Sequence, residues 1–342
     1  MRLGERHLQK DPAFERLKTA LVGKQPDRIP LFDFVISREM KENFLGKHIT
    51  CLEEEVKFWV AAGYDYVVLN VRAPFRFNTQ QSRSSEDAWH SEHMGIISSM
   101  GDYDTYPWPD PENLDYSVLQ QIERYLPSGM KVITVAGNFY QKTVYLLGFE
   151  NFALSLMDNP SFVARVMNRV AGITFRMLER VVEMPAVGAV VTGGDIAYGS
   201  GTMINPRFLR ELVFPWYRRE VEVCHSRDIA VIHHSDGNLW EVMDDLVDSG
   251  IDAFHPFEPA AMDIGEVKKR FGGTIGILGN VDVDLLSRGT PDAVRREVLK
   301  LIRELGPGGG YSEASSNSIH KNVRLDNYRA MIDATLNEGQ IY

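Results

Sequence analysis

The densest group of reactive side chains in this chain is the run His233-His234-Ser235-Asp236-Gly237-Asn238. On an extended strand residues two apart share a face, so His234 and Asp236 can converge on one atom while Ser235 points away. An imidazole nitrogen and a carboxylate oxygen make half of a zinc site, which Glu258, Asp195 or a residue near Asn317 could complete. His234, Asp236 and Glu258 are the metal-ligand candidates. The same pair could instead hydrogen-bond to each other, or position a substrate, with no metal. Asp195 and Glu258 read as a general acid–base pair, because carboxylates in a half-enclosed cavity have raised pKa values; either could also only orient a loop. Around Asp195, Gly193, Gly194, Gly199 and Gly201 let backbone approach a ligand closely. His233 should face a helix layer, half-buried and with its nitrogens satisfied.

Side chains converge only if the chain brings strand ends together. Short β-rich runs alternate with longer helical patterns from end to end, which is the signature of repeated βα units. The strand candidates are 30–35, 64–71, 131–136, 189–192, 230–233, 253–257, 274–278 and 310–312. Asn159-Pro160, Asn205-Pro206 and Thr290-Pro291 each place a capping side chain before a proline at the first helical position. Eight such units with no Pro/Ser-rich linker predict an α/β protein with one (β/α)8 TIM barrel spanning residues 1–342. It carries an N-terminal helical extension and a rim insertion, 82–115, after the second strand. A doubly wound open sheet is the weaker reading, since no GxGxxG follows the first strand.

In such a barrel the reactive groups sit at the C-terminal ends of the strands. Those ends supply Asp33, Asn70, Arg72, Asn138, Tyr140, Gln141, Asp195, His255, Glu258, Asn280, Asp282, Glu313, Asn317 and His320. Of these, Tyr140, Asn138, Asn70, Arg72, Asn280, Asn317 and His320 are the expected substrate-binding set. The glycine run 306–310 precedes the last strand, so it reads as a turn on the opposite face and not as a phosphate loop. YPWPDP, at 106–111, could form an aromatic lid over a substrate, but packing of the insertion against the barrel is the stronger reading. No His-x-His opens the first strand, which counts against the metal-dependent hydrolases that use one.

A formal net charge of −10 disfavours nucleic acid and anionic membranes as partners, because both need basic patches. Cys51 and Cys224 are far apart and form no CxxC or CxH pair. That argues against a disulfide framework and fits a reducing compartment. No run of 18 apolar residues occurs and the N-terminus shows no signal-peptide pattern, so a cytoplasmic protein with a small-molecule or protein partner is expected.

Six segments in order also resemble the uroporphyrinogen decarboxylase superfamily, and in particular its methyltransferase-like branch. They are FERLKTALVGKQPDRIPLFDF, YPWPDP, GFENFALSLMDNP, HSDGN, ILGNVDVDLL and GPGGGYSEASSNSIHKNVRLDNYRAM. The resemblance implies a (β/α)8 barrel. Decarboxylases of the family carry an arginine-rich RQAGR segment after the first strand, which binds the substrate's carboxylates; here the chain reads FVISREM, with Arg38 alone. The decarboxylase aspartate after the second strand falls near Asn70 to Arg72, and its histidine after the eighth near Asn317. The corrinoid-dependent methyltransferases hold zinc with His-x-Cys after strand five and a cysteine after strand eight. Here those positions read His234-Ser235-Asp236 and about Asn317, so thiolates give way to oxygen ligands. The resemblance thus implies a methyltransferase or demethylase. A small methyl donor, such as a methoxylated aromatic, would give its methyl group to a cobalamin-binding corrinoid protein, with zinc as the candidate metal. The alternatives are a decarboxylase or lyase acting on a smaller acid, and a non-catalytic corrinoid- or tetrapyrrole-binding protein.

Overall fold

The computed structural model describes residues 12–77 and 95–340. Seven parallel strands form the main sheet: β1 (Tyr66–Val68), β2 (Lys131–Val135), β3 (Val187–Gly193), β6 (Ala230–His234), β7 (Ala253–His255), β8 (Gly276–Leu278) and β9 (Tyr311–Ser312). Neighbours in the sheet are also successive in the chain, apart from a small antiparallel hairpin of β4 (Ala197–Tyr198) and β5 (Gly201–Thr202). The sheet is curled into a half-barrel with helices between its strands. All seven residues of β3 are buried, as expected for a strand covered on both faces.

The first expected strand departs from the expected ladder. Residues 30–36 pair only with the segment that follows β9, through isolated parallel bridges of Leu31 with Glu313 and Ile36 with Ile319. Two causes limit the ladders. On the β9 side Pro30 has no N–H to donate, and on the opposite side the Asp33 N–H goes to the Tyr66 hydroxyl at 2.7 Å instead of to the β1 backbone.

The three Asx/Thr-Pro helix starts are as expected. Asn159 caps Pro160–Val181, Asn205 caps Pro206–Phe208 and Thr290 caps Pro291–Leu305, each side chain accepting a first-turn N–H. Beyond Pro206–Phe208 the helix widens to a π turn over Leu209–Val213 before Phe214–His225 resumes. Pro215 explains the widening, since it cannot donate to the carbonyl four residues back.

Of the expected rim insertion, residues 82–94 lie outside the described residues. In the rest, the Trp108 ring meets those of Tyr106 and Tyr103 at 4.6 and 5.2 Å. Arg169 and Arg165, from the helix Pro160–Val181, lie over Trp108 and Tyr103. YPWPDP therefore packs on that helix. Gly308, Gly309 and Gly310 all have left-handed φ, and a Cβ on Gly309 would meet the Gln25 backbone at 2.3 Å, so the glycine run is a helix-to-strand turn.

Candidate functional site

β6 carries the chemistry. His234 is its last residue and pairs with Gly193 on one side and His255 on the other. Beyond it the chain turns through Ser235, whose hydroxyl donates to the Asp236 carbonyl and accepts the Ile196 N–H. That turn swings the Asp236 carboxylate back towards the His234 ring. His234 Nε2 lies 3.8 Å from Asp195 Oδ1 and 3.9 Å from Asp236 Oδ1. One ligand atom from each of Asp195, His234 and Asp236 falls within 4.8 Å of the other two. The Asp236 N–H donates to Asp195 Oδ1 at 3.1 Å, so a backbone hydrogen bond holds the two acids together against the repulsion of their charges.

Asp236 is the unusual member. Its Oδ2 accepts from Asn317 Nδ2 at 2.8 Å, while its Oδ1 is buried without a hydrogen-bond partner. Burial, then the charges of Asp195 and Glu258, push its carboxyl up to about 7, against the pull of Asn317. Burial also holds His234 below the ordinary histidine range, opposed by Asp195. His255, stacked on His234 with ring centres 5.4 Å apart, is held well below that range by its own burial and by the neighbouring ring.

Glu258 stays outside the three-residue set in which it was expected as a metal ligand. Its Oε2 accepts the Gly237 N–H at 2.8 Å, which fixes the turn after Asp236 and places a third negative charge beside it. Asp195 takes the expected ligand position. Asn317 fulfils a contact role, but towards Asp236. Asn138, at a left-handed φ of 54°, has a buried Oδ1 without a partner, and the Tyr140 hydroxyl is buried and unpartnered. Burial, then the fields of Tyr198 and Asp195, raise the Tyr140 pKa.

Other expected site residues serve the scaffold. Asn70 Oδ1 accepts the Val135 N–H, extending the β1–β2 ladder, and Asn280 Nδ2 donates to the Phe257 carbonyl. Arg72 is exposed at the end of the β1 segment. His320 lines a groove with Ser37, Arg38 and Asn322 to which no cluster residue contributes. Asp33 points into the helix layer, where Tyr64 and Ser315 donate to it. Glu313 is wholly buried and burial drives its carboxyl well up. His233 faces the helices as expected, but it is wholly buried, packed on Tyr217 and Phe254, and neither ring nitrogen has a partner. Burial drives its pKa down to about 3.

Two supports had no sequence signal beyond hydrophobic alternation or a lone charge. Phe34 packs edge-on against His234 and His255, with ring centres 4.9 and 5.4 Å away, and walls the cluster. Lys142 donates to the carbonyls of Gly137 and Asn138, holding the turn that presents Asn138.

The whole is an α/β protein with a histidine–carboxylate cluster at the C-terminal ends of its parallel strands. A family model described as uroporphyrinogen decarboxylase (URO-D) matches residues 94–337, and the chain belongs to that family. Uroporphyrinogen decarboxylases of Pseudomonas fluorescens and Alkalilimnicola ehrlichii are each 23% identical to it, over 252 and 251 residues. Those alignments take in 70% of this chain and 68% and 66% of the relatives, so the chain spans about two thirds of their length. Among solved structures, a methyltransferase from Methanosarcina mazei has the same fold, with a TM-score of 0.71 and 15% identity over 94% of this chain and 97% of that one.

Proposed function

We propose that this chain is a methyltransferase of the URO-D family, built as a single (β/α)8 barrel with residues 30–36 as its eighth strand. It moves a methyl group from a small methylated substrate, a methoxylated aromatic being the leading candidate, to the cobalt of a corrinoid held on a separate protein. The family and the fold shared with a methyltransferase support the class. The observation that carries the reading is the cluster Asp195, His234 and Asp236, with its unpartnered Asp236 oxygen.

When a methyl group leaves a heteroatom for reduced cobalt, the metal supplies the bonding pair. The heteroatom keeps the pair of the broken bond and needs a proton or a cation. The cluster offers either. One imidazole nitrogen with two carboxylate oxygens suits zinc or a harder divalent ion, and His234, Asp236 and Asp195 would hold it. Such an ion supplies Lewis acidity to the departing heteroatom. Asp236 keeps a proton at near-neutral pH, and Asn317 orients its other oxygen. The unpartnered Tyr140 hydroxyl and Asn138 Oδ1 are the groups assigned to hold the substrate's polar atoms.

The same acids speak against a porphyrinogen. A tetrapyrrole bearing eight carboxylates would meet Asp195, Asp236 and Glu258, while Arg38 is engaged by Glu42 and the Ile49 carbonyl. The relatives' name keeps one second reading, decarboxylation of a smaller acid.

Incubating the protein with a Co(I) corrinoid carrier and a panel of methyl donors tests the assignment. Methyl–cobalt absorbance should grow, and His234→Ala should slow it about 100-fold or more. No methyl–cobalt with any donor removes the assignment, and carbon dioxide release without a corrinoid selects the second reading.

A further inference from the structure

His255 ends β7, is 2% exposed, and directly opposes His234 across the β6–β7 ladder, so the two side chains share a face of the sheet. Phe32 and Phe34 close around it, with ring centres 5.2 and 5.4 Å away. His255 Nε2 lies 3.2 Å from the carbonyl oxygen of Ser315. A carbonyl only accepts, so that nitrogen carries the hydrogen. A ring so enclosed by aromatic side chains is neutral, because desolvation disfavours the imidazolium. His255 Nδ1 is therefore an acceptor. The atom facing it, 3.2 Å away, is His234 Nδ1. Two bare nitrogens cannot bond, so His234 must supply the hydrogen from Nδ1. Its Nε2 is then bare, and Nε2 is the atom turned towards Asp195 and Asp236.

We propose that His255 is a positioning residue that locks His234 in its Nδ1–H tautomer and so presents the Nε2 lone pair to the carboxylates and to whatever cation or proton they hold. The chain of donation runs from His234 Nδ1–H to His255 Nδ1, and from His255 Nε2–H to the Ser315 carbonyl. A ring whose second nitrogen is tied in this way keeps both its orientation and its basicity, as outer-shell partners do for ligand histidines generally. This role rests on the reading of Asp195, His234 and Asp236 as the reacting site, but the tautomer itself does not.

Two measurements separate the assignments. In imidazole-15N-labelled protein, long-range proton–nitrogen correlation reads each tautomer, with His234→Ala and His255→Phe identifying the two rings. The expected wild-type result is Nδ1–H for His234 and Nε2–H for His255. In His255→Phe, His234 should shift substantially to Nε2–H, and His255→Gln, whose amide oxygen can accept the same hydrogen, should restore Nδ1–H. His234 found as Nε2–H in the wild type overturns the proposal, whether or not the Phe variant folds. So does an unchanged His234 tautomer in a His255→Phe protein with a native circular dichroism spectrum. The second measurement is zinc affinity by competition with a chelator. His255→Phe should weaken it by about 10- to 100-fold, with partial recovery in His255→Gln. An affinity within twofold of wild type in the folded Phe variant overturns the positioning role. A wild type that binds no zinc instead removes the metal reading of the proposed function, and the tautomer measurement then decides the role of His255 alone.

Discussion

Asp33 is a buried carboxyl and Asp236 a half-buried one, and burial raises the pKa of both, yet they differ in what their oxygens do. Both Asp33 oxygens are engaged: Oδ1 accepts from the Ser315 N–H and hydroxyl, and Oδ2 from the Tyr64 hydroxyl. Asp236 keeps one oxygen unpartnered. The first pattern is that of a structural group and the second that of a binding group. Burial carries Asp33 from 3.8 to about 6 despite its hydrogen bonds. The folded chain therefore binds this proton more tightly than the unfolded chain, and folding takes up a proton between about pH 4 and 6. The stability that Asp33 contributes is fully present below about pH 4 and is lost as pH rises through 6. Asp33→Asn should flatten that part of the profile, with a relative gain at pH 7 of at most about 3 kcal/mol. Urea midpoints of both proteins at pH 4 to 7 check it; parallel profiles would contradict it. The pair His234 and Asp236 was legible in the sequence from its spacing, but the strand ends at His234, and a turn through Ser235 rather than strand alternation brings Asp236 back to it. Alternation, applied to Phe32-Asp33-Phe34, would have turned Asp33 away from the site, because the two phenylalanines take the inner face.

At the level of elements, the loop after β3 depends on glycine where it meets the side chain of Asn138. Gly194 has φ +118°, and a Cβ there would come within 2.4 Å of Asn138 Oδ1 and 3.1 Å of Gln141. Gly194→Ala should therefore cost about 1–3 kcal/mol and, by displacing Asn138, raise the substrate KM. Gly199 has open space around its Cβ position, so Gly199→Ala should stay within about 0.5 kcal/mol of wild type. Thermal melts and initial-rate curves on the pair decide this, and equal effects would remove the close-approach argument. The helix starts give a second test. Asn159 accepts the Phe162 N–H at the head of a 22-residue helix, so Asn159→Ala should lower stability by about 1 kcal/mol in urea titration. These caps were legible because an Asx or Thr before proline is a local signal. Element order and type were legible for the same reason. Strand ends were not: at residues 30–36 the ladder is limited by a tyrosine hydroxyl 33 positions away, which no local pattern reveals.

On the scale of the whole molecule, chemistry and stability occupy opposite ends of the sheet. At the end where strands begin, the helix Phe14–Leu21 packs so closely that a Cβ on Gly188 would meet the Phe14 ring at 2.5 Å, and one on Gly276 would meet the Leu21 carbonyl at 2.6 Å. One buried carboxylate ties this N-terminal helix down. Asp65, just before β1, accepts from Arg16 Nη1 at 2.5 Å and from the Ala13 N–H at 2.9 Å, with Arg28 Nη2 3.7 Å away. Removing it would leave the buried Arg28 guanidinium without its counter-charge and Arg16 with only the exposed Asp27, and an ion pair broken from one side in the interior is costly. Asp65→Ala should thus lower unfolding stability by about 3–5 kcal/mol, read from urea denaturation. The loss should resist salt up to 0.5 M, since screening acts weakly on buried charges. Zinc affinity of the folded fraction should be unchanged, because Asp65 and the His234 cluster lie at opposite strand ends. A loss of zinc affinity equal to that of His234→Ala, in protein that remains folded, would show that the two ends are coupled and that the N-terminal helix does more than close the sheet.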